Sequence, residues 1–442
     1  MSSGKAAWLL LLLMSVMGCD PVDDGAATDA ASSGASRVQG KAWLLYGVAD
    51  DGASIVTRIW RSRPPPANLG LSNDLNFLIT DSMGSTAEGR ALVTNHKHAQ
   101  FSEVDGPAGG YHWDAESTVV WIPIGDAHDQ ATVSLTSAGM EVASFVVPSK
   151  IALHSSHIVE EISVTGAPES RINIVIIGDG YTANEAAKFQ SDSDAIANFL
   201  LSTRPYNEYR NLFNIHRIIT ESAESGADHP DLGIDVINRF GSSFNCGGIP
   251  RSLCANDSLV FSVVLGHLPE TDQVLVLVND DRYGGAGGQV ATTSTHASSP
   301  YIAVHEFGHT LAGLADEYET ATGNRPIIAP EANVSLSSEL GEIKWSHWIE
   351  DGTMLPTRDA FATSNVEPIG AYEGARYHSI GIFRPAPACK MRESESELCA
   401  VCVEESVRRF HSQSSLISQL RRPLAKQSTS QVEQLLLSFK LS

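Results

Sequence analysis

Two patterns of hydrophobic and polar residues divide the chain. Between Ala42 and about Pro148, apolar residues come in short alternating or β-branched runs separated by Gly, Pro, Asn and Asp, without the 3.6-residue period of a helix. The clearest runs are Ile55–Trp60, Thr118–Ile124, Ala131–Leu135 and Glu141–Val147. This pattern predicts an all-β, sandwich-like domain over residues 39–150.

The second region combines long apolar runs with helical periodicity. Ile172–Ile177 is a largely apolar run, and Thr182–Leu201 has the spacing of an amphipathic helix. Leu212–Thr220 and Gln273–Val278 are further apolar runs typical of buried strands. We therefore predict an α/β domain over residues 165–425, and an α+β multidomain class for the chain as a whole.

The N-terminus has the order of an export signal. Lys5 is followed by the apolar run Ala6–Met14 and then by small residues up to Cys19. Since Val16-Met17-Gly18-Cys19 resembles a bacterial lipobox, we predict a lipoprotein signal peptide over residues 1–19 and a lipid anchor on Cys19, in the bacterial cell envelope. The alternative is an ordinary cleaved signal and a secreted protein. Residues 20–38, which are small and acidic, predict a flexible tether.

Composition narrows the classes of partner. The chain has 30 Lys and Arg against 52 Asp and Glu, a net charge of −22, and 42% of its residues are hydrophobic. The apolar content is enough for a folded core. Because an acidic surface repels phosphate groups, we expect no nucleic-acid partner, and membrane contact only through the N-terminal lipid. The sequence leaves the oligomeric state open.

The chemistry centres on His305-Glu306-Phe307-Gly308-His309, an HExxH pattern. On a helix, residues four apart lie on the same face, so His305 and His309 can bind one zinc ion. Glu306 lies beside them, where it can act as the general base that takes a proton from water. A buried helix that merely carries paired histidines is the structural alternative.

Two imidazoles and a water leave tetrahedral zinc one protein ligand short. Gly313 can end the helix and turn the chain back, and Asp316 follows it at the glycine-to-ligand distance of the metzincin pattern HExxHxxGxxH. The glycine stands one residue later than in that pattern, and Asp replaces the third His. Asp316 is the preferred ligand and Glu317 its rival. A thermolysin-type site would instead use Glu331, Glu339 or Glu342.

The stretch Tyr301–Tyr318 resembles the igalysins, the immunoglobulin-A peptidase family of zinc metallopeptidases within the metzincin clan. Further segments with this resemblance are Ile177–Tyr181, Ser222–Asp228, Tyr372–Tyr377, Cys389–Arg392 and Cys399–Cys402. The resemblance covers about residues 165–410. It implies a metzincin-like catalytic domain, one catalytic Zn²⁺ and a protein or peptide substrate.

The resemblance also suggests roles for two residues outside the HExxH stretch. Met391 would be the methionine of the Met-turn beneath the metal, with Met354 as the runner-up. Tyr377 would place a phenol near the substrate oxyanion, although it precedes the methionine, whereas the corresponding metzincin tyrosines usually follow it.

Five cysteines remain besides Cys19. Cys246 and Cys254 bracket a short loop and can pair. An exported compartment permits disulfides, so we expect one near Met391, between Cys389 and either Cys399 or Cys402. The Cys399-x-x-Cys402 spacing is also half of a zinc-ribbon pattern, but the sequence contains no second half.

The sequence thus predicts an exported zinc endopeptidase in which Glu306 activates water. We expect an extended substrate to pair with an edge strand near Gln289–Ser294. The rival interpretation is a cell-surface binding lipoprotein with a vestigial site, although His305, Glu306 and His309 are all intact. Family resemblance does not identify the physiological substrate.

Overall fold

The computed structural model contains both helices and sheets, which confirms the α+β class. It describes residues 42–48, 54–60, 70–93, 96–101, 109–114, 119–124, 130–148, 157–319, 328–358 and 368–414. The predicted signal peptide and tether lie outside these residues.

Nine strands occupy the region of short apolar runs. They are β1 (Ala42–Val48), β2 (Ser54–Trp60), β3 (Gly70–Thr80), β4 (Thr86–Val93), β5 (His96–Phe101), β6 (Gly109–Asp114), β7 (Val120–Pro123), β8 (Thr132–Ser137) and β9 (Met140–Val146). Seven form an antiparallel sheet in the order β2-β1-β7-β4-β3-β8-β9, and β5 pairs with β6. The described strands therefore form one sheet and one hairpin, and the sandwich-like packing stays a prediction.

This sheet buries residues on both faces near its centre. On one face, Leu44 and Ile122 pack in a cluster with residues of β3 and β8. On the other, Trp121 stacks edge-on against Phe261 of the following region, with ring centroids 5.9 Å apart. Burial on both faces explains why β7 is a continuous apolar run and does not alternate.

A second sheet has six strands in the order β10-β12-β11-β15-β17-β16. The strands of this half of the chain, including two short pairs, are β10 (Ile158–Ser163), β11 (Ile172–Asp179), β12 (Phe213–Ile219), β13 (Ser243–Phe244), β14 (Leu253–Cys254), β15 (Gln273–Val278), β16 (Gly285–Ala286), β17 (Ala291–Thr293), β18 (Tyr372–Ala375) and β19 (His378–Arg384). The central strands β12, β11, β15 and β17 are parallel, whereas β10 and β16 are antiparallel to their neighbours.

Helices cover both faces of this second sheet. The four described α-helices are α1 (Ala186–Ser202), α2 (Asp257–His267), α3 (Ser299–Ala312) and α4 (Ala400–Gln413). Side chains of β11 alternate between the faces: Ile174 and Ile176 pack in the cluster that contains α1, α3 and α4, and Val175 and Ile177 in the cluster that contains α2. None of these four helices is long and apolar enough to span a bilayer.

The edge strand expected near Gln289–Ser294 is not an edge. Within that range β17 is internal, because the two-residue strand β16 pairs along its outer side. Gly285 permits this close approach, since a Cβ there would lie 2.9 Å from both Ile302 Cγ2 and Thr292 O. A strand of two residues, one of them glycine, leaves no periodic signal in the sequence.

Asp179, at the end of β11, organises the loop that follows β12. Its carboxylate is fully buried and accepts hydrogen bonds from the Ser222 and Ser242 hydroxyls, at 3.0 and 2.5 Å, and from the Arg239 amide at 2.7 Å. Every one of these neighbours donates, which suits an ionised acceptor. The carboxylate therefore fixes a loop that has little regular secondary structure of its own.

We predict that Asp179→Asn destabilises the protein by about 3 kcal/mol, because the amide replaces one acceptor with a donor among groups that all donate. Urea unfolding measures the change. The control is Asp231→Asn, whose carboxylate is 34% exposed and pairs with Arg282 at 2.9 Å. It should cost no more than about 1 kcal/mol. Equal losses in the two variants would contradict the role given to Asp179.

Candidate active site

Helix α3 carries the HExxH residues and ends at a glycine turn. Gly313 adopts a left-handed conformation with φ of 64°, and the amides of Gly313 and Leu314 donate back to His309 O and Gly308 O. The bond from the Gly313 amide to the carbonyl four residues earlier is that of an αL-type C-cap, a conformation that glycine adopts without a Cβ penalty. The turn sends the next residues back along the face of α3 that bears the histidines.

Three side chains converge at this face. The Nε2 atoms of His305 and His309 lie 3.0 Å apart, and Asp316 Oδ1 lies 3.2 Å from the first and 3.1 Å from the second. His305 and Asp316 are buried, and the His309 side chain is 11% exposed. The three residues form one of two groups among the described residues that can hold a metal ion.

The hydrogen bonds of the two rings show which nitrogen of each ring faces Asp316. His305 Nδ1 lies 2.8 Å from Lys390 O, and His309 Nδ1 lies 2.7 Å from Leu314 O. Since a carbonyl only accepts, each Nδ1 carries a proton and each ring directs Nε2 towards Asp316, where the neutral form of the ring presents a lone pair that can bind a metal. Three acceptors this close repel one another unless a cation lies between them. Two imidazoles and one carboxylate fit a catalytic metal site.

The closeness of Asp316 and His309 also shifts the pKa values of these two residues. Burial lowers the pKa of His309, but the charge and hydrogen bond of Asp316 outweigh it and raise the pKa to about 9. Burial raises the pKa of Asp316, but the two histidines hold that pKa well below its usual range. The site therefore favours a positive charge beside an ionised Asp316.

Asp316 is held from two sides. The Tyr377 hydroxyl donates to Asp316 Oδ2, and the Arg376 amide donates to Asp316 O at 2.9 Å. Asn333, fully buried, forms a pair of 2.8 Å hydrogen bonds with the backbone of Ala315. These contacts fix the carboxylate of Asp316 opposite the histidines, as outer groups fix ligands at known metal sites. The oxyanion role of Tyr377 stays a prediction.

Glu306 lies on α3 next to His305 and is fully buried. Tyr318 and Tyr377 pack edge-to-face at 5.5 Å on the side of Asp316. Glu306 acts electrostatically on His309, Tyr318 and Tyr377. Its carboxylate thus belongs to the same electrostatic cluster as the three candidate ligands.

Met391 lies beneath the helix. It is fully buried, and a Cβ on Gly308 would come within 2.5 Å of its sulfur. Its carbonyl accepts from the Glu317 amide at 2.7 Å. Met354, the alternative, is 61% exposed.

The alternative third ligands lie elsewhere. Glu317 faces away from the histidines and accepts from Asn333 Nδ2 at 2.8 Å. Glu331 pairs with Arg376 at 3.0 Å, and Glu339 and Glu342 are exposed. Only Asp316 among these carboxylates lies within contact distance of the two Nε2 atoms.

Two supporting groups carry no recognisable sequence signal. Asn333 follows Ala315 by 18 residues in the chain, and no sequence pattern around it marks it as a partner of that segment. Lys390 contributes a backbone carbonyl, which no residue type reveals. Both were accessible only through the tertiary structure.

Comparison with known proteins supports a peptidase. Residues 160–367 match the profile of the IgA Peptidase M64 family, whose members are metallopeptidases. The matched range includes His305, His309 and Asp316, and it ends before Tyr377 and Met391. No curated protein matches the chain.

We predict that Asn333→Ala weakens metal binding ten- to a hundredfold, about the usual cost of losing an outer partner at a metal site. Titration of the apoprotein with Zn²⁺ measures the affinity. The control is Asn173→Ala, another buried amide, which bonds to Pro168 O and Glu270 O away from the site. It should lower stability and leave the metal affinity unchanged. Similar affinities in wild type and Asn333→Ala would exclude the positioning role.

Proposed function

We propose that the protein is an exported zinc-dependent endopeptidase. The observation that carries this proposal is the convergence of two imidazole lone pairs and a carboxylate oxygen within 3.2 Å, beside a buried glutamate. The family match over residues 160–367 supports the reaction class. His305, His309 and Asp316 would hold the zinc ion.

When bound, zinc would act as a Lewis acid that polarises the scissile carbonyl and acidifies water. Glu306 would take the proton of the attacking water and pass it to the leaving amine. Burial suits Glu306 to this task, because electrostatic interactions are stronger where water is excluded.

Tyr377 and Asn333 would keep the third ligand in place. The hydroxyl of Tyr377 occupies Asp316 Oδ2, which leaves Oδ1 directed towards the histidines. Asn333 holds the backbone just before the ligand. Together they would limit the motion of Asp316 when substrate enters.

We predict that Glu306→Gln retains the metal but lowers kcat for peptide hydrolysis by at least about 10²–10⁴-fold, because the amide cannot take the proton. Cleavage of a peptide library and zinc analysis of the same sample separate the two effects. Glu339→Gln, which changes an exposed carboxylate, is the control. Near-normal turnover in Glu306→Gln would show that another group is the base. Metal binding without cleavage by the wild type would favour a binding lipoprotein.

Localisation is a separate part of the proposal. The apolar run Ala6–Met14 is shorter than the roughly 20 residues that span a bilayer, and it is followed by Gly18-Cys19. We therefore propose that Cys19 is lipidated and that the mature chain is held at the cell envelope.

We predict that Cys19→Ser releases the protein from membranes, since the thiol is the attachment point of the lipid. Membrane fractionation measures the partition, and mass spectrometry of the N-terminal peptide detects the lipid. Ser15→Ala, within the same signal, should leave the partition unchanged. Equal membrane association of Cys19→Ser and wild type would contradict lipid anchoring.

A further inference from the structure

A second cluster of ligand-type side chains lies behind the candidate active site. Glu317, Cys389, Cys399 and Cys402 each offer one ligand atom, and these four atoms lie within 4.8 Å of one another. Three of the residues are buried, and Cys399 is partly buried. The residues come from three segments: the chain after α3, the turn before Met391 and the start of α4.

The three cysteines are not paired as the sequence suggested. Cys246 and Cys254 form a disulfide, whereas Cys389, Cys399 and Cys402 are free thiols. The expected disulfide beside Met391 is therefore absent from the structure. A disulfide would join only two of the three sulfurs and leave one buried thiol together with Glu317.

The spacing suits a shared metal. Two thiolates bound to tetrahedral zinc at about 2.3 Å lie about 3.8 Å apart. The Sγ atoms of Cys389 and Cys402 are 3.6 Å apart, and Cys402 Sγ is 3.2 Å from Glu317 Oε1. Both separations are close to those between neighbouring ligands of one ion.

We propose that Cys389, Cys399, Cys402 and Glu317 form a second, structural zinc site. Soft thiolates select zinc over hard cations, and four protein ligands close the coordination sphere without room for a reacting water. Each thiol gives up its proton to solvent when the metal binds, so assembly needs no oxidant or reductant.

Two local features favour thiolate ligands and oppose the burial that raises the pKa of Cys389 and Cys402. Cys399 is the N-cap of the 14-residue helix α4, and Cys402 lies in its first turn, where the helix dipole favours a thiolate. The Cys399 amide donates to Cys389 Sγ at 3.3 Å. Asn333 fixes Glu317 Oε1, while Oε2 is buried and receives no hydrogen bond in the described part of the chain.

Such a site would cross-link the segments that surround the candidate active site. Asp316 and Glu317 are consecutive, so one peptide unit would join the ligands of the two metals. Cys389 precedes Lys390, whose carbonyl orients His305. The second zinc would thus hold the third-ligand segment, the turn at Met391 and α4 in one arrangement, much as a disulfide would but with three thiols.

The experiment counts metals in the full chain and identifies their ligands. Protein purified under reducing conditions and loaded with zinc should contain two ions per chain. His309→Ala removes a proposed ligand of the first site and should retain one. Replacing zinc with Co²⁺ in His309→Ala should give the near-ultraviolet charge-transfer band of a cobalt thiolate, because that variant keeps only the cysteine site.

Two further variants test the second site directly. Cys399→Ser should bind one zinc ion and lose most of the cobalt thiolate band, and the ion it retains shows that the chain has folded. Glu317→Gln should weaken the second ion at least tenfold. Its matched control is Glu397→Gln, an exposed carboxylate in the same loop, which should bind two.

The proposal rests on chemistry independent of the proposed peptidase, and the two can fail separately. One zinc in the wild type, with none in His309→Ala, would overturn the second site and leave the first intact. So would a disulfide among Cys389, Cys399 and Cys402 found by peptide mapping of the purified protein. A cobalt thiolate band in an inactive wild type would support the second site while counting against the peptidase. If Cys399→Ser does not fold, the cobalt spectrum of His309→Ala still decides the matter.

Discussion

The candidate site depends on the left-handed turn at Gly313. The turn ends α3 at Ala312 and returns the chain along the helix, so that Asp316 meets the two histidines. A residue with a Cβ would be strained at φ of 64°. If the helix continued, Asp316 would lie on the histidine face but two turns beyond His309, about 10 Å along the axis and too far away to share a metal ion with both imidazoles.

The strands beneath α3 and the segment around Met391 hold the candidate site in the arrangement that this turn produces. The parallel strands β11 and β15 form a fully buried floor, and α3 packs on it through Val304, Phe307 and Leu311. The segment around Met391 also packs against α3. The sulfur of Met391 occupies the space beside Gly308, which has no side chain. The carbonyl of Lys390 accepts from Nδ1 of His305 and so orients this ring. The helix, the turn and the Met391 segment therefore each restrict a different degree of freedom of the candidate ligands.

Two adjacent carboxylates divide the region into two chemical environments. Asp316 faces imidazoles, and Glu317 faces thiols, with Asn333 bonded to the segment that carries both. Consecutive side chains in an extended segment point to opposite sides, which explains how neighbouring residues serve different clusters. Because Asp316 and Glu317 are adjacent, spacing along the chain does not by itself distinguish them as candidates for the third ligand.

The sequence by itself determined what local periodicity and short spacing can encode. It placed His305 and His309 on one helical face, ended that helix at Gly313 and favoured Asp316 over Glu317 as the third ligand, because all of these residues lie within about three helical turns of one another. It also identified β11 and β15, because strands that are buried on both faces consist of nearly continuous apolar residues. Only the tertiary structure decided which carboxylate faces the histidines, that Asn333 and Tyr377 hold it, and that Cys389 and Cys402 meet Glu317 without a disulfide. Those contacts join residues far apart in the chain, and no local pattern records a contact that arises only when separate segments pack around one core.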